Sequence, residues 1–290
     1  MSLKISTALA ANCSKTAERQ SWLSQLPEFV AELQQRWSLT IGHPFDGDHV
    51  SCAWVAAVRV AGNRSAVLKI GMPHFENLHE IEGLLFWNGD PTVRLLDSDS
   101  YLGALLLERC EPGTLLRTLP EPDQDSVIAG LLQRLWRPPH PPHPFRPLSA
   151  LLERWSKETL TLAERWPDPG LVRAGLDLWK ELLASTESAV LLATDLHAAN
   201  VLRAQRETWS VIDPKPFVGD PAYDATQHLL NCDERLQSDF DATTARFADL
   251  AGLDPERVRL WTFSRLAAEP RDRWQGDDWF ELARAIAARM

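Results

Sequence analysis

Between Leu191 and Asp224, two short apolar runs each lead into an aspartate, and no other stretch constrains the chain as much. Val190, Leu191 and Leu192 deliver Asp195 into a polar loop, and Trp209 to Ile212 deliver Asp213. Asn200 lies between them, followed by Val201 and Leu202. Short β-prone runs bounded by polar and proline residues read as strands, so the segment folds as strand, tight loop and strand pair. The D-x-x-x-x-N, strand, Asp layout supplies what phosphoryl transfer from a nucleotide requires. One carboxylate accepts the hydrogen bond of an attacking hydroxyl, while an amide oxygen and a second carboxylate hold Mg2+ on the phosphates. Hard oxygen ligands suit Mg2+, and no His/Cys cluster competes for it. Singly, Asp195 or Asn200 reads as a turn or cap residue, and Asp213 before Pro214 as a strand-end turn. The spacing carries the functional reading.

The rest of the chain is compatible with that chemistry. Its 290 residues suffice for one large domain or two lobes with an adequate core. No apolar run approaches a membrane span, and the N-terminus lacks a signal-peptide layout. Cys13, Cys52, Cys110 and Cys232 are scattered without a CxxC pair, which predicts reduced thiols in a cytoplasmic protein. A net charge of −10 disfavours nucleic acid as a partner and is compatible with a cationic small-molecule acceptor. It does not establish one, since solubility alone accounts for such a charge.

In chain order, the apolar spacing from Lys15 to Trp37 is helical, interrupted by Pro27, and residues 1–37 form an N-terminal helical extension. Residues 38–110 are rich in strand signals. Leu39 to Ile41 opens, Phe45 to Asp48 turns, and strands over Val50–Val60 and Ser65–Ile70 flank an Ala61–Arg64 turn. The loop from Phe45 to Ser51 has a single glycine, Gly47, and reads equally as an ordinary β-turn. If it covers nucleotide phosphates, its donors are Ser51 and the backbone. Lys69 is a lone charge in an apolar strand, which alternation would place on a solvated face. A helix predicted over Phe75–Trp87 follows with Glu76, Glu80 and Glu82, and a strand lysine with a helix glutamate is the ion pair that positions nucleotide phosphates. Strands over Thr92–Leu96 and Leu102–Leu107 surround a turn at Asp97–Ser100, and the second breaks into Glu108, Arg109, Cys110, Glu111, Pro112 and Gly113, a linker signal.

Residues 111–290 are mainly helical, with helices predicted over 123–136, 148–166, 171–185, 222–230, 233–250, 254–268 and 276–288. The proline run at 138–147 is a stiff connection carrying His140 and His143, which read as surface histidines rather than a chelate. Asp220 precedes Pro221 as a helix N-cap. Acidic residues at Asp233, Glu234 and Asp272 to Asp278, with Trp274 and Trp279, line an acceptor groove or are solvated helix faces.

The motifs at 194–202 and 211–224 resemble the catalytic and metal-binding stretch of the aminoglycoside phosphotransferases. Within that family they are similar to the streptomycin 6-phosphotransferase and hydroxyurea phosphotransferase branch, whose second motif also reads IDPKP-x-x-GDP. The likeness spans about Ser65 to Leu266. It implies a two-lobed protein-kinase-like α+β fold, with an antiparallel sheet lobe at 38–110, a hinge and a helical lobe at 111–290. It also implies ATP and Mg2+ as cofactors and a small-molecule hydroxyl as acceptor. Asp195 is then the catalytic base and Asn200 and Asp213 the metal ligands. Lys69 grips the donor phosphates and Glu80 fixes it, with Glu76 one turn earlier as the alternative. Gly47 and Ser51 belong to the phosphate loop, and the main chain of Glu108, Arg109 and Cys110 meets adenine. Asp220 braces the catalytic loop. The family more often has His-Gly before the base, where this chain has Ala193 and Thr194. A metabolite kinase on the same fold, or a nucleotide-binding module without chemistry, are the rival readings.

Overall fold

The structure is a computed structural model that describes residues 3–47, 50–270 and 278–289. It divides into two compact units, Met1–Thr114 with Leu202–Ile212, and Leu115–Val201 with Asp213–Met290.

The first unit opens with α1 (Thr7–Cys13) and α2 (Ala17–Arg36). They are followed by β1 (Thr40–Phe45), β2 (Ala53–Val60), β3 (Arg64–Gly71), α3 (Glu80–Trp87), β4 (Leu95–Asp99) and β5 (Ala104–Glu108). The strands form one antiparallel sheet in the order β1-β2-β3-β5-β4. Period-two alternation sorts its side chains onto two faces. Trp54, Ala56, Val58, Leu68, Ile70 and Leu106 face Leu9, Leu26 and Leu33 of α1 and α2. Val67, Leu105 and Leu107 face Ile81 and Leu84 of α3. Both faces are therefore covered. The β2–β3 turn needs Gly62, whose φ of 77° a Cβ disfavours.

Four expectations shift here. Pro27 does not interrupt α2, which runs through it. Trp22, Leu26, Val30 and Leu33 are buried along one side of the helix, and that burial offsets the missing hydrogen bond. α3 starts at Glu80, not Phe75, because His79 at φ 71° is left-handed and cannot continue a helix. β4 starts at Leu95, not Thr92: Val93 N–H donates to Val211 O (2.9 Å) and Val211 N–H to Pro91 O (3.0 Å), so this segment pairs elsewhere. The turn after β4 comes later than Asp97–Ser100, closed by Leu102 N–H on Asp99 Oδ1 at 2.8 Å. Asp48 of the expected Phe45–Asp48 turn lies outside the described residues.

The second unit contains α4 (Glu121–Leu135), α5 (Leu148–Thr161) and α6 (Pro169–Ala184), then β6 (Val190–Leu192). The hairpin of β7 (Val201–Arg203) and β8 (Trp209–Val211) lies largely in the first unit. β9 (Phe217–Gly219) returns to pair antiparallel with β6. The remaining helices are α7 (Pro221–Leu229), α8 (Asp233–Ser238), α9 (Phe240–Ala251), α10 (Pro255–Ala268) and α11 (Asp278–Ala287). Asp-Pro opens α6, α7 and α10, with Asp168, Asp220 and Asp254 each accepting first-turn N–H groups, which fixes three helix starts by one rule. The single helix expected over 233–250 is two, because Asp239 leaves helical geometry (φ −150°) to cap Ala242 N–H. The proline run grips both strands of the small sheet: Leu191 N–H donates to Arg137 O (2.9 Å) and Val218 N–H to Arg146 O (2.8 Å). His140 is exposed, and His143 stacks on Phe145 with ring centroids 5.8 Å apart. Asp272, Trp274 and residues 276–277 lie outside the described residues. The four cysteines are free thiols, and among the described residues no helix is long and apolar enough to cross a membrane.

Candidate active site

In the first unit, Lys69 sits on the sheet face that α3 covers, not on a solvated one. Its Nζ donates to both Glu80 oxygens, at 2.6 and 2.7 Å, and the two residues are only 6% and 5% exposed. A glutamate at the first position of α3 also complements the helix N-terminus. Removing one partner of such a buried pair strands the other charge, a loss of about 3–5 kcal/mol. Glu76 lies in the turn before α3. The Gly47 carbonyl accepts Val50 N–H at 2.9 Å, and the Ser51 hydroxyl lies 3.6 Å from Cys52 Sγ.

At the end of β5, Glu108 N–H is committed to Arg94 O at 2.9 Å, so it is not free to meet a ligand. The Glu108 side chain is held by Arg206, whose Nε and Nη2 contact it at 3.0–3.2 Å. Burial opposes its ionisation, but the hydrogen bonds and charges of Arg206 and Arg94 together outweigh burial and lower its pKa. Burial pushes the Cys110 thiol up to about 11.

In the second unit, β6 ends at Leu192 and the chain turns sharply. Thr194 has φ 48°, an uncommon conformation for a β-branched residue. It is held there on three sides. Asp224 of α7 accepts Ala193 N–H (3.0 Å) and Thr194 N–H (2.6 Å), and the Thr194 hydroxyl donates to Lys215 O at 2.7 Å. Burial raises the Asp224 carboxyl to about 6, against the pull of its backbone and Trp136 donors. The turn aims Asp195 so that both its oxygens are engaged: Lys215 Nζ on Oδ2, and Gln227 Nε2 on Oδ1 at 2.9 Å. Burial, with Lys215 and Arg117 nearby, lowers the pKa of His197, against the raising effect of Asp195.

The Asn200 amide is oriented by its own loop: Nδ2 donates to Asp195 O at 2.9 Å. The amide oxygen is thereby the end left to act as a ligand, which fits a hard cation. Asp213 has φ 53° just after β8, so both acidic positions lie at or beside a left-handed turn. An amide oxygen and a carboxylate are hard donors whose chemistry fits Mg2+.

One expectation is corrected. Asp220 does not brace the loop that carries Asp195; it accepts Ala222 N–H (2.9 Å), Trp261 Nε1 (2.7 Å) and Arg257 Nε (2.5 Å), tying α7 to α10. The brace is Asp224, which sequence reading passed over, as it did Lys215 and Gln227. The available signal was spacing: Asp224 and Gln227 are three apart on α7 and so share a face.

The chain matches the family described as aminoglycoside/hydroxyurea antibiotic resistance kinase over residues 36–275. It is 35% identical to a streptomycin 6-kinase of Streptomyces glaucescens over 280 residues, covering 91% of this chain and 89% of that protein. It is 36% identical to a hydroxyurea phosphotransferase of Kitasatospora aureofaciens, covering 86% and 74%. Among solved structures, a choline kinase from Streptococcus pneumoniae superposes with a TM-score of 0.62 at 13% identity, covering 91% of this chain and 99% of that one. That likeness shows a shared protein-kinase-like fold.

Proposed function

The chain belongs to the aminoglycoside/hydroxyurea antibiotic resistance kinase family, and from that premise we propose that it moves the γ-phosphoryl group of ATP onto a hydroxyl of streptomycin or a near relative, with Mg2+. A kinase acting on small-molecule hydroxyls is what the family membership itself establishes. The acceptor, the metal and the residue roles are our reading.

The observation that carries it is the catalytic loop, where a strained, three-sided turn presents Asp195 with both oxygens fixed, and Asn200 is bonded across the same loop. Phosphoryl transfer asks little covalent chemistry of the protein, so positioning and charge neutralisation account for the rate. Asp195 accepts the proton of the acceptor hydroxyl as its oxygen bonds to the γ-phosphorus. The bond from phosphorus to the β–γ bridging oxygen breaks, and ADP leaves. Lys69, held by Glu80, binds donor phosphate oxygens. Asn200 and Asp213 hold Mg2+, which when bound neutralises charge on the phosphates. A chain of net charge −10 favours encounter with a polycationic aminoglycoside. The 36%-identical hydroxyurea phosphotransferase supports hydroxyurea as the second acceptor to test.

The test is transfer from labelled ATP, with Mg2+, to streptomycin, other aminoglycosides, hydroxyurea, choline, ethanolamine and sugars. Transfer to streptomycin that Asp213→Ala abolishes is the expected result. Transfer confined to hydroxyurea replaces the acceptor, and transfer confined to a metabolite overturns the resistance role. ATP binding with no transfer and no slow hydrolysis identifies a binding module.

A further inference from the structure

The D-x-x-x-x-N and Asp motifs leave unexplained why Asp195 is fixed at both oxygens. We propose that Lys215 and Gln227 are positioning residues for Asp195, and that Arg265 sets which end of the Gln227 amide faces it. The inference rests on the reading of Asp195 as the base.

A carboxylate on so short a stem rotates broadly about its last torsion. Only some of those orientations aim a lone pair at an incoming hydroxyl. Lys215 engages one oxygen and Gln227 the other, so the carboxylate plane is fixed before any acceptor arrives. Lys215 is itself anchored to the loop it serves. Its N–H donates to Ala193 O at 2.8 Å, and its carbonyl accepts the Thr194 hydroxyl. The segment carrying Asp213 and the turn carrying Asp195 are thus stitched together at one residue, by one main-chain bond, one hydroxyl-to-carbonyl bond and one ion pair.

An amide can present either its nitrogen or its oxygen. Arg265 removes that choice: its Nη2 donates to Gln227 Oε1 at 2.9 Å, so Nε2 must turn to Asp195. Reversed, the amide would set its N–H groups against a guanidinium and its oxygen against a carboxylate. Arg265 is only 3% exposed. Its Nη1 donates to Thr226 Oγ1 (2.8 Å) and its Nε to Glu269 Oε2 (2.9 Å), and its guanidinium lies 5.1 Å from the Tyr223 ring and 5.6 Å from the Trp155 ring. A buried cation held at each of its three nitrogens is a rigid reference point, and through one glutamine it orients the base.

Steady-state kinetics of the full chain with ATP and the accepted substrate test this, using Lys215→Met, Lys215→Arg, Gln227→Glu and Gln227→Met beside Asp195→Asn. Gln227→Glu keeps the shape and gains a partner in Arg265, so the fold is retained, but it sets a carboxylate against Asp195. The expected result is a fall in kcat of about 10–100-fold in Lys215→Met and Gln227→Glu, a smaller fall in Gln227→Met, and partial recovery in Lys215→Arg. The KM for ATP stays within about twofold, because uniform binding is untouched. A kcat near wild type in Lys215→Met and Gln227→Glu, with Asp195→Asn inactive, overturns the positioning role and leaves the base assignment standing. A parallel loss of kcat, ATP affinity and melting temperature in all four variants overturns it as well, in favour of a purely structural role. An active Asp195→Asn removes the base assignment on which it rests.

Discussion

Asp224 is the residue on which the shape of the loop carrying Asp195 depends most directly. It accepts two main-chain N–H groups of the turn before Asp195 and the Trp136 indole N–H. Asp224→Ala leaves these buried donors unpaired, at about 1–3 kcal/mol each, and frees Thr194 to leave its left-handed conformation. Denaturant unfolding should show a loss of about 3 kcal/mol, with kcat falling together with it. Asp224→Asn, which keeps one acceptor oxygen, should lose less on both counts. A variant Asp224→Ala with wild-type stability and turnover would contradict this account. The proposed site residues Asp195, Asn200 and Asp213 stand out in the sequence because their spacing is unusual and their chemistry specific. Asp224, Lys215 and Gln227 do not, because an aspartate in a first helical turn, a lysine between prolines and a helix glutamine each have ordinary explanations. Only the fold brings them to one carboxylate.

Among the elements, α6 and α10 cross closely at Gly175. A Cβ there would lie 2.9 Å from the Cβ atoms of both Ala267 and Ala268, and 3.2 Å from Ser264 O. Gly175→Ala must push the helices apart and should destabilise by about 1–3 kcal/mol. Gly130, within α4, has nothing inside 4 Å of its would-be Cβ, so Gly130→Ala should stabilise by about 0.5–1 kcal/mol. Thermal or urea unfolding of the pair separates crowding from helix propensity, since propensity alone would stabilise both. Helix existence was readable from 3.6-residue periodicity almost throughout, whereas boundaries moved wherever a polar side chain or a left-handed residue intervened, as at His79 and Asp239. β4 was misplaced because the residues before it pair with Val211, a contact of long sequence separation that local pattern does not encode.

At the scale of the whole molecule, strand alternation and turn chemistry predict a sheet lobe over 38–110 and periodicity a helical lobe over 111–290, whereas the first compact unit also takes in residues 1–37 and Leu202–Ile212. The family likeness joined them into one kinase fold, which the solved relatives share. The helical unit is pinned by a buried charge cluster. Asp125 of α4 accepts His228 Nε2 (2.9 Å), Arg235 (2.8 and 3.1 Å) and Arg246 (3.3 Å), joining α4 to α7, α8 and α9. Burial alone would raise the Asp125 carboxyl, but these partners outweigh it and hold it at about 2, below the ordinary 3.8. The unfolded chain therefore takes up the proton before the folded one does. The stability contributed by Asp125 is complete above about pH 4 and is lost as pH falls towards 2. Asp125→Asn should destabilise at pH 7 by about 2 kcal/mol or more, and the gap to wild type should close near pH 2 in denaturant titrations. A gap independent of pH would contradict the charge-based account. The central claim is that this chain phosphorylates an antibiotic hydroxyl with Asp195 as base. Its most direct test is mass-spectrometric detection of phosphorylated streptomycin after incubation with ATP and Mg2+, for the wild type and Asp195→Asn at equal ATP occupancy. The account predicts phosphorylated product from the wild type and none, or a trace, from the variant; equal product from both, or none from the wild type with ATP bound, would contradict it.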